Sequence, residues 1–229
     1  MANSGAEHLQ GSLTLERLSE LAKSDVFVRN AIRRIMVSTY DDFLDVLCDD
    51  LKLVIERLEE NPQDFLDESE DATTKRLADM LWAMQYTASH NRASGGNVDL
   101  TVEITRMNFK WIAEAKKFAS VSDMRAGYLQ LSTRYRPSMG TNGVMYGGMI
   151  GYVRKSNAAA HMTRWRKTLP TVSGAESSVL TDCARRYALA FQSEHAHKDF
   201  GVPLRVWHNC VVFTFSPQDK SGLSAQRYR

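Results

Sequence analysis

A chain of 229 residues, 43% of them hydrophobic, is long enough to bury a full core as one elaborated domain or two small ones. No run of about 18 apolar residues occurs, so no transmembrane helix is expected, and the polar segment Met1–Gly11 does not read as a signal peptide. The net charge of +2 conceals an asymmetry: residues 1–100 hold 10 Lys/Arg against 19 Asp/Glu, and residues 101–229 hold 19 against 8. An acidic front half and a basic back half either neutralise each other by packing or leave the back half to bind an anionic ligand. Cys48, Cys183 and Cys210 are isolated, with neither zinc spacing nor a disulfide framework, which fits structural thiols in a reduced cytoplasm.

In chain order, residues 12–38 read as helical, with a break at Ser24-Asp25. Residues 40–60 form an amphipathic helix. Phe43, Leu44, Leu47, Leu51, Val54, Ile55 and Leu58 recur at spacings of three and four, and Asn61-Pro62 ends the pattern. An acidic linker spans 62–71, and a helix over Asp71–Gln85 follows, with Ser69 or Asp71 as its cap. Two strands come next, through Gly95–Glu103 and Phe109–Phe118, joined by a turn at Thr105–Asn108. A helix over Met124–Tyr135 is stopped by Pro137. A strand is expected over 144–154, then helices at Asn157–Lys167 and about Ser177–Glu194, and a last strand at Leu204–Phe215. This order implies an α/β protein with a mixed central sheet flanked by helices and preceded by an α-helical N-terminal extension. The division expected is a helical region at 1–68 and a sheet domain at 69–229.

The two central strands carry the chemistry. Strand alternation sends Glu114 and Lys116 to one face and Ala113 and Ala115 to the other. If the strands pair through their turn, Asp99 joins the first face. Two carboxylates and an ammonium suit divalent-metal-assisted hydrolysis of a phosphodiester. Mg²⁺ takes oxygen ligands and needs few carboxylates, since waters and substrate phosphate complete its shell.

The pattern Asp99…Glu114-x-Lys116 resembles the PD-(D/E)xK, or restriction-endonuclease-like, nuclease superfamily. The resemblance covers roughly residues 70–155, with Val98 where many members have proline. Gln130 and Tyr135 look like the Gln and Tyr of the helix that follows Glu-x-Lys in RecB-like branches. They stand five residues apart here rather than four, which makes Arg134, one turn from Gln130, the phosphate contact expected. The resemblance implies a Mg²⁺- or Mn²⁺-dependent nuclease acting on DNA. Asp99, Glu114 and the Ala115 carbonyl would hold the metal. Lys116 would orient the attacking water, and Gln130 would position Lys116 or the scissile phosphate. Arg164, Arg166 and Lys167, beside Trp165, form a candidate cluster for the nucleic-acid backbone. By analogy, a compact nuclease with a helical appendage suits a prokaryotic defence system. The appendage would then dock a protein partner or a second copy. The alternative is a catalytically inactive nuclease-fold protein serving as a nucleic-acid-binding or assembly subunit.

Other residues have plainer expectations. Glu70 stands where some members of the resembled family place another acidic ligand, but reads better as a helix N-terminal charge; Glu103, on the Asp99 face, reads as a solvated edge residue in preference to a second ligand, and Lys117 as solvent-facing. Trp111, Trp165 and Trp207 read as core. His195 and His197 read as a helix end rather than a metal site. No Walker, dinucleotide or nucleophile-elbow motif is present.

Overall fold

The computed structural model of the chain describes residues 14–93, 96–140 and 142–219. Met1–Gly11, the first residues of the helix expected from 12, and Gly95 lie outside the described residues. The chain is α/β. Helices α1 (Leu15–Ser24), α2 (Val26–Met36), α3 (Tyr40–Glu59) and α4 (Glu70–Ala83) precede the sheet; α5 (Val121–Thr133) and α6 (Ala158–Thr168) lie between its strands. The strands are β1 (Thr87–Ala93), β2 (Asn97–Ile104), β3 (Phe109–Lys117), β4 (Ser138–Met139), β5 (Met145–Val153), β6 (Val179–Asp182), β7 (Ala190–Ala196) and β8 (Pro203–Val212). They form one mixed sheet in the order β1-β2-β3-β5-β8-β7-β6, with β4 paired to β5. The central three, β3, β5 and β8, run parallel, and antiparallel pairs flank them on both sides. No helix among the described residues is long and apolar enough to cross a membrane.

Each face of the sheet is covered by helices. The α3 stripe is buried except for Leu44, which is half-buried: Phe43, Leu47, Leu51 and Ile55 pack with Leu77 and Leu81 of α4 against Val102, Trp111 and Tyr152. Each such side chain contributes roughly 1.5–3 kcal/mol by leaving water. The regular stripe therefore completes this chain's own core. On the other face, Met124, Tyr128 and Leu131 of α5 and Met162 and Trp165 of α6 pack against Ile112, Met149 and Phe191. All nine residues of β5 are buried, as expected of a parallel strand covered on both faces. Trp111, Trp165 and Trp207 are core, as their apolar contexts implied.

Helix ends follow local chemistry. Thr39 and Asp42 form a reciprocal capping box at α3, and Ser120 and Asp123 form another at α5. Of the two cap candidates before α4, Ser69 accepts the Ala72 N–H (3.0 Å). The break at Ser24-Asp25 is real, because the Asp25 carboxylate caps α2 by accepting from Phe27 and Val28.

The acidic surface of α3 is consumed inside the molecule. Asp50 is fully buried and accepts from Asn30 (2.8 Å), Arg34 (2.7 Å) and Tyr86 (2.8 Å). Asp45 and Asp49 share Arg33 and Arg185. The acidic front thus pairs with basic residues of α2 and of the back half.

The helix expected over Ser177–Glu194 is not formed. That segment holds β6, a 3-10 turn at Ala184–Arg186, and β7. Phe191, Ser193 and His195 alternate inward while β7 pairs with β8 from Ala190 to Ala196. Sheet pairing overrides a modest helical propensity there. His195 and His197 consequently lie at the end of a strand and not of a helix. The His195 Nε2 and the buried Tyr128 hydroxyl share a hydrogen bond (2.7 Å). The strand β1 was not expected; it is a polar edge strand without a buried side chain.

Candidate active site at the open end of the β2–β3 ladder

The antiparallel ladder between β2 and β3 runs from Ile104↔Phe109 to Leu100↔Ala113 and stops. The next rung would set Asp99 opposite Glu114, two carboxylates face to face. Instead the Asp99 side chain takes the rung's place: its Oδ2 accepts the Ala115 N–H (2.9 Å). On the far side β3 keeps its parallel pairing with β5 through Lys117. Glu114 and Lys116 thereby sit on a rigid strand, on the face toward α5, next to a gap in the sheet.

Lys116 is the hub. Its Nζ lies 2.6 Å from Glu114 Oε1, 3.3 Å from Glu70 Oε1 and 3.6 Å from Asp99 Oδ2. Glu70, read as a helix N-terminal charge in preference to the further acidic ligand that the resemblance offers, does stand in the first turn of α4 and also belongs to this cluster. Its Oε2 accepts the Lys117 N–H (2.6 Å). The reason is topological: α4 immediately precedes the sheet, and its first turn overhangs the end of β3. Glu103 is elsewhere, paired with Arg92 of β1 (2.6 Å). The Lys117 side chain is exposed, as expected.

Helix α5 closes the site. With its amide turned so that oxygen faces donor and nitrogen faces acceptor, Gln130 donates to Glu114 Oε1 and accepts from Arg134 Nη1 (3.1 Å). Its side chain thus reaches Glu114, the carboxylate bound by Lys116. The Tyr135 hydroxyl donates to the Asn97 carbonyl (2.6 Å). That bond ties the end of α5 to the start of β2, the strand that carries Asp99.

Glu114 is 1% exposed, and both of its donors converge on Oε1. Its Oε2 is buried without a partner. Burial, and then the charge of Asp99, push its pKa up to about 7, although the Lys116 ammonium pulls the other way. Burial also works against the charge on Lys116, but Glu114, Asp99 and Glu70 outweigh it and hold the ammonium above the ordinary lysine range. The two directions are compatible because one cation is shared among three carboxylates. Negative charge is left in excess, and Glu114, the most buried, takes up the proton.

No family model matches the chain, and neither does any curated protein or solved structure.

Among the described residues, no group of three or more His, Cys, Asp or Glu side chains is arranged to hold a metal. The Lys116 ammonium occupies the point on which the carboxylates converge. The donor set nonetheless fits a hard divalent cation. Such an ion needs one or two carboxylates, and here one buried carboxylate oxygen has no partner beside a second carboxylate.

The more distant candidates divide. Arg164 and Lys167 are exposed on α6. Arg166, half-buried, is paired with the exposed Asp182 of β6 and lies over the Phe191 ring. Reading residues 177–194 as a helix hid that partner.

The raised pKa of Glu114 makes stability depend on pH. The folded state holds this proton more tightly than the unfolded chain, whose carboxyl keeps the ordinary value of 4.5. Its contribution is present below 4.5 and is lost as pH rises to about 7. The loss is on the order of 3 kcal/mol for a shift of this size. The buried histidines titrate in the opposite sense, so the measurement is a difference. Denaturant melts of the wild type minus those of Glu114→Gln should fall across this window and level off above it. A difference that rises with pH would contradict the assignment.

Proposed function

We propose that the chain is a metal-dependent nuclease of the restriction-endonuclease-like type, hydrolysing phosphodiester bonds of DNA with Mg²⁺ or Mn²⁺. The observation that carries this reading is the convergence of Asp99, Glu114 and Lys116 at the gap in the ladder, with Glu114 Oε2 unpartnered. A sheet of antiparallel and parallel strands with α5 between β3 and β5 supports the same fold reading.

Asp99 and Glu114 Oε2 would hold the metal, with the Ala115 carbonyl as a further oxygen. A divalent cation there supplies Lewis acidity toward the phosphate and acidifies a bound water. Lys116 stays cationic. Its task is to donate to the attacking water and to meet charge developing on the phosphate oxygens, not to remove a proton. Gln130 fixes the Glu114 rotamer and links it to Arg134. Glu70 keeps Lys116 at the mouth of the site, and Tyr135 holds β2 in place behind Asp99.

The test is a cleavage assay on single- and double-stranded DNA and on RNA, with Mg²⁺, Mn²⁺ or EDTA. Cleavage that needs the metal and stops with EDTA supports the reading. Binding without cleavage under every condition would leave the inactive nuclease-fold protein in its place.

Substrate would be held through its backbone. Arg134 borders the site, and Arg164 and Lys167 lie exposed on α6, the neighbour of α5. Arg134→Ala should weaken DNA binding and reduce the slope of log affinity against log salt by about 1, the signature of one lost phosphate contact. Arg166→Ala should reduce that slope less, because a phosphate must first displace Asp182 from its guanidinium. Equal effects of the two substitutions would remove Arg134 from the interface.

A protein partner or a second copy is proposed for α1 and α2. The main packing of α1 among the described residues is against α2, and Leu15, Phe27, Ile35 and Met36 are exposed. Deleting residues 1–24 should leave metal-dependent cleavage intact and change the sedimentation behaviour or the partners recovered. A truncated chain with unchanged assembly and partners would sink this role. A defence setting in the cytoplasm remains part of the same proposal.

A further inference from the structure

Helix α2 meets the body of the protein through its polar side. Asn30, Arg33 and Arg34 stand three and four residues apart and so share a face. The fully buried Asn30 donates to Asp50 (2.8 Å), Arg34 pairs with the same carboxylate (2.7 Å), and Arg33 pairs with Asp45 and Asp49 (both 2.5 Å). Arg106 fastens the last turn by donating to the carbonyls of Arg34 (2.8 Å) and Ile35 (2.7 Å). Turning the helix over would take Asn30 and Arg34 away from the buried Asp50 carboxylate, a large cost that fixes this orientation.

The apolar side of α2 is therefore outward. Phe27, Ala31 and Ile35 form one row and Val28, Ile32 and Met36 the next, each at a spacing of four. Phe27 is exposed, and Ile35 and Met36 are 70% and 72% exposed. Helix α1 packs against α2 but has no buried residue of its own, and its Leu15 and Leu21 are exposed. These five are half of the ten exposed large hydrophobic side chains among the described residues, gathered on two helices of 10 and 11 residues. Scattered apolar residues are ordinary on a surface, whereas a contiguous patch marks an interface. Helices this short also gain little stability without packing.

The charges beside the patch point to its occupant. Glu16, Glu20 and Asp25 stand against Arg17, Lys23 and Arg29, three of each sign and all exposed, so this surface is neutral overall and mixed in sign. A face of one sign would repel a copy of itself, but a mixed one, rotated by a two-fold axis, can set its acids against its own bases. The same balance gives no hold on an anionic lipid surface, which calls for an excess of Lys and Arg. We propose that the patch is the contact between two copies of this chain, with α1 and α2 of each covering those of the other. This narrows to a second copy the docking role proposed for α1 and α2, on which it rests, and it needs nothing of the Glu114 cluster.

The test is sedimentation equilibrium of the full chain in EDTA, over a range of concentrations that brackets a Kd of about 100 µM or below, the affinity expected for the dimer. Phe27→Asp and Ile35→Asp should each weaken association by at least about 30-fold, as loss of a central contact does. Both side chains are exposed in the single chain, so circular dichroism should show the variants folded. Val179→Asp, a comparably exposed apolar residue on β6, should associate like the wild type, and so should Glu114→Gln. In the wild type, amide hydrogen exchange in α1 and α2 should slow as the dimer forms. A monomer at every concentration overturns the proposal, and so does capture of that monomer by vesicles of phosphatidylcholine and phosphatidylserine. A dimer unmoved by both Phe27→Asp and Ile35→Asp overturns it by placing the contact elsewhere, as does one in which α1 and α2 gain no protection.

Discussion

Glu114→Gln and Lys116→Ala should each lower metal-dependent cleavage by at least about 10³-fold, the scale on which loss of one preorganised electrostatic group is felt. The two substitutions act differently. Glutamine preserves the shape of Glu114 and keeps an oxygen for Lys116 and Gln130, but it removes the anionic oxygen that would hold a cation. The variant should fold with a melting temperature near that of the wild type or above it, because a desolvated carboxyl has been replaced by a neutral amide. Lys116→Ala removes the cation shared by Glu114, Asp99 and Glu70. The Glu114 pKa then rises further, and the protonated acid no longer competes for a metal at neutral pH. Cleavage by this variant, if any survives, should shift to higher pH. Rates of purified variants on the best substrate, with circular dichroism as the control for folding, settle the matter. Full activity in Lys116→Ala would make the Glu-x-Lys spacing a coincidence.

The centre of this site was legible in the sequence because strand alternation is local. Glu114 and Lys116 two residues apart must share a face, and a short turn at Thr105–Asn108 must bring Asp99 alongside. Glu70 was pointed to by the resemblance alone. Its carboxylate reaches Lys116 across 46 residues, and nothing in a helix N-terminus announces what lies over it. The α3 stripe announced burial, though not against what. Only the packing shows Phe43 and Leu47 on the sheet of their own chain. The 177–194 segment misled because its apolar residues fit both periods at short range. Phe191, Ser193 and His195 do alternate, but two of the three are polar, so the inward face carries little apolar signal. Edge strand β1 has no apolar alternation to find. Its strand character comes wholly from pairing with β2.

Gly127→Ala should cost activity out of proportion to stability. Gly127 sits in the middle of α5, where glycine is about 1 kcal/mol worse than alanine for helix formation. By propensity alone, the substitution should stabilise the protein. The structure gives glycine a different purpose at this position. A Cβ on residue 127 would lie 2.8 Å from Lys116 Cγ, 3.0 Å from Met149 Cε and 3.2 Å from Glu114 Cγ. It would press on the stems of the two side chains proposed to carry the chemistry. Met149 is flexible and yields easily. Glu114 and Lys116 are bound to each other and to Gln130, so a few tenths of an ångström must come from α5 moving off the sheet or from the pair turning away. Either movement lengthens the Gln130–Glu114 contact and displaces the ammonium from its carboxylates. The expected result is a melting temperature within a few degrees of the wild type and a fall in cleavage rate of about 10- to 100-fold, as positioning errors near 1 Å produce. Substrate affinity should change little, since Arg134 lies two turns further along. Melting curves, cleavage rates and binding isotherms on the same preparation separate these effects. Wild-type cleavage in Gly127→Ala would show that the contact between α5 and the Glu-x-Lys strand does not position the site.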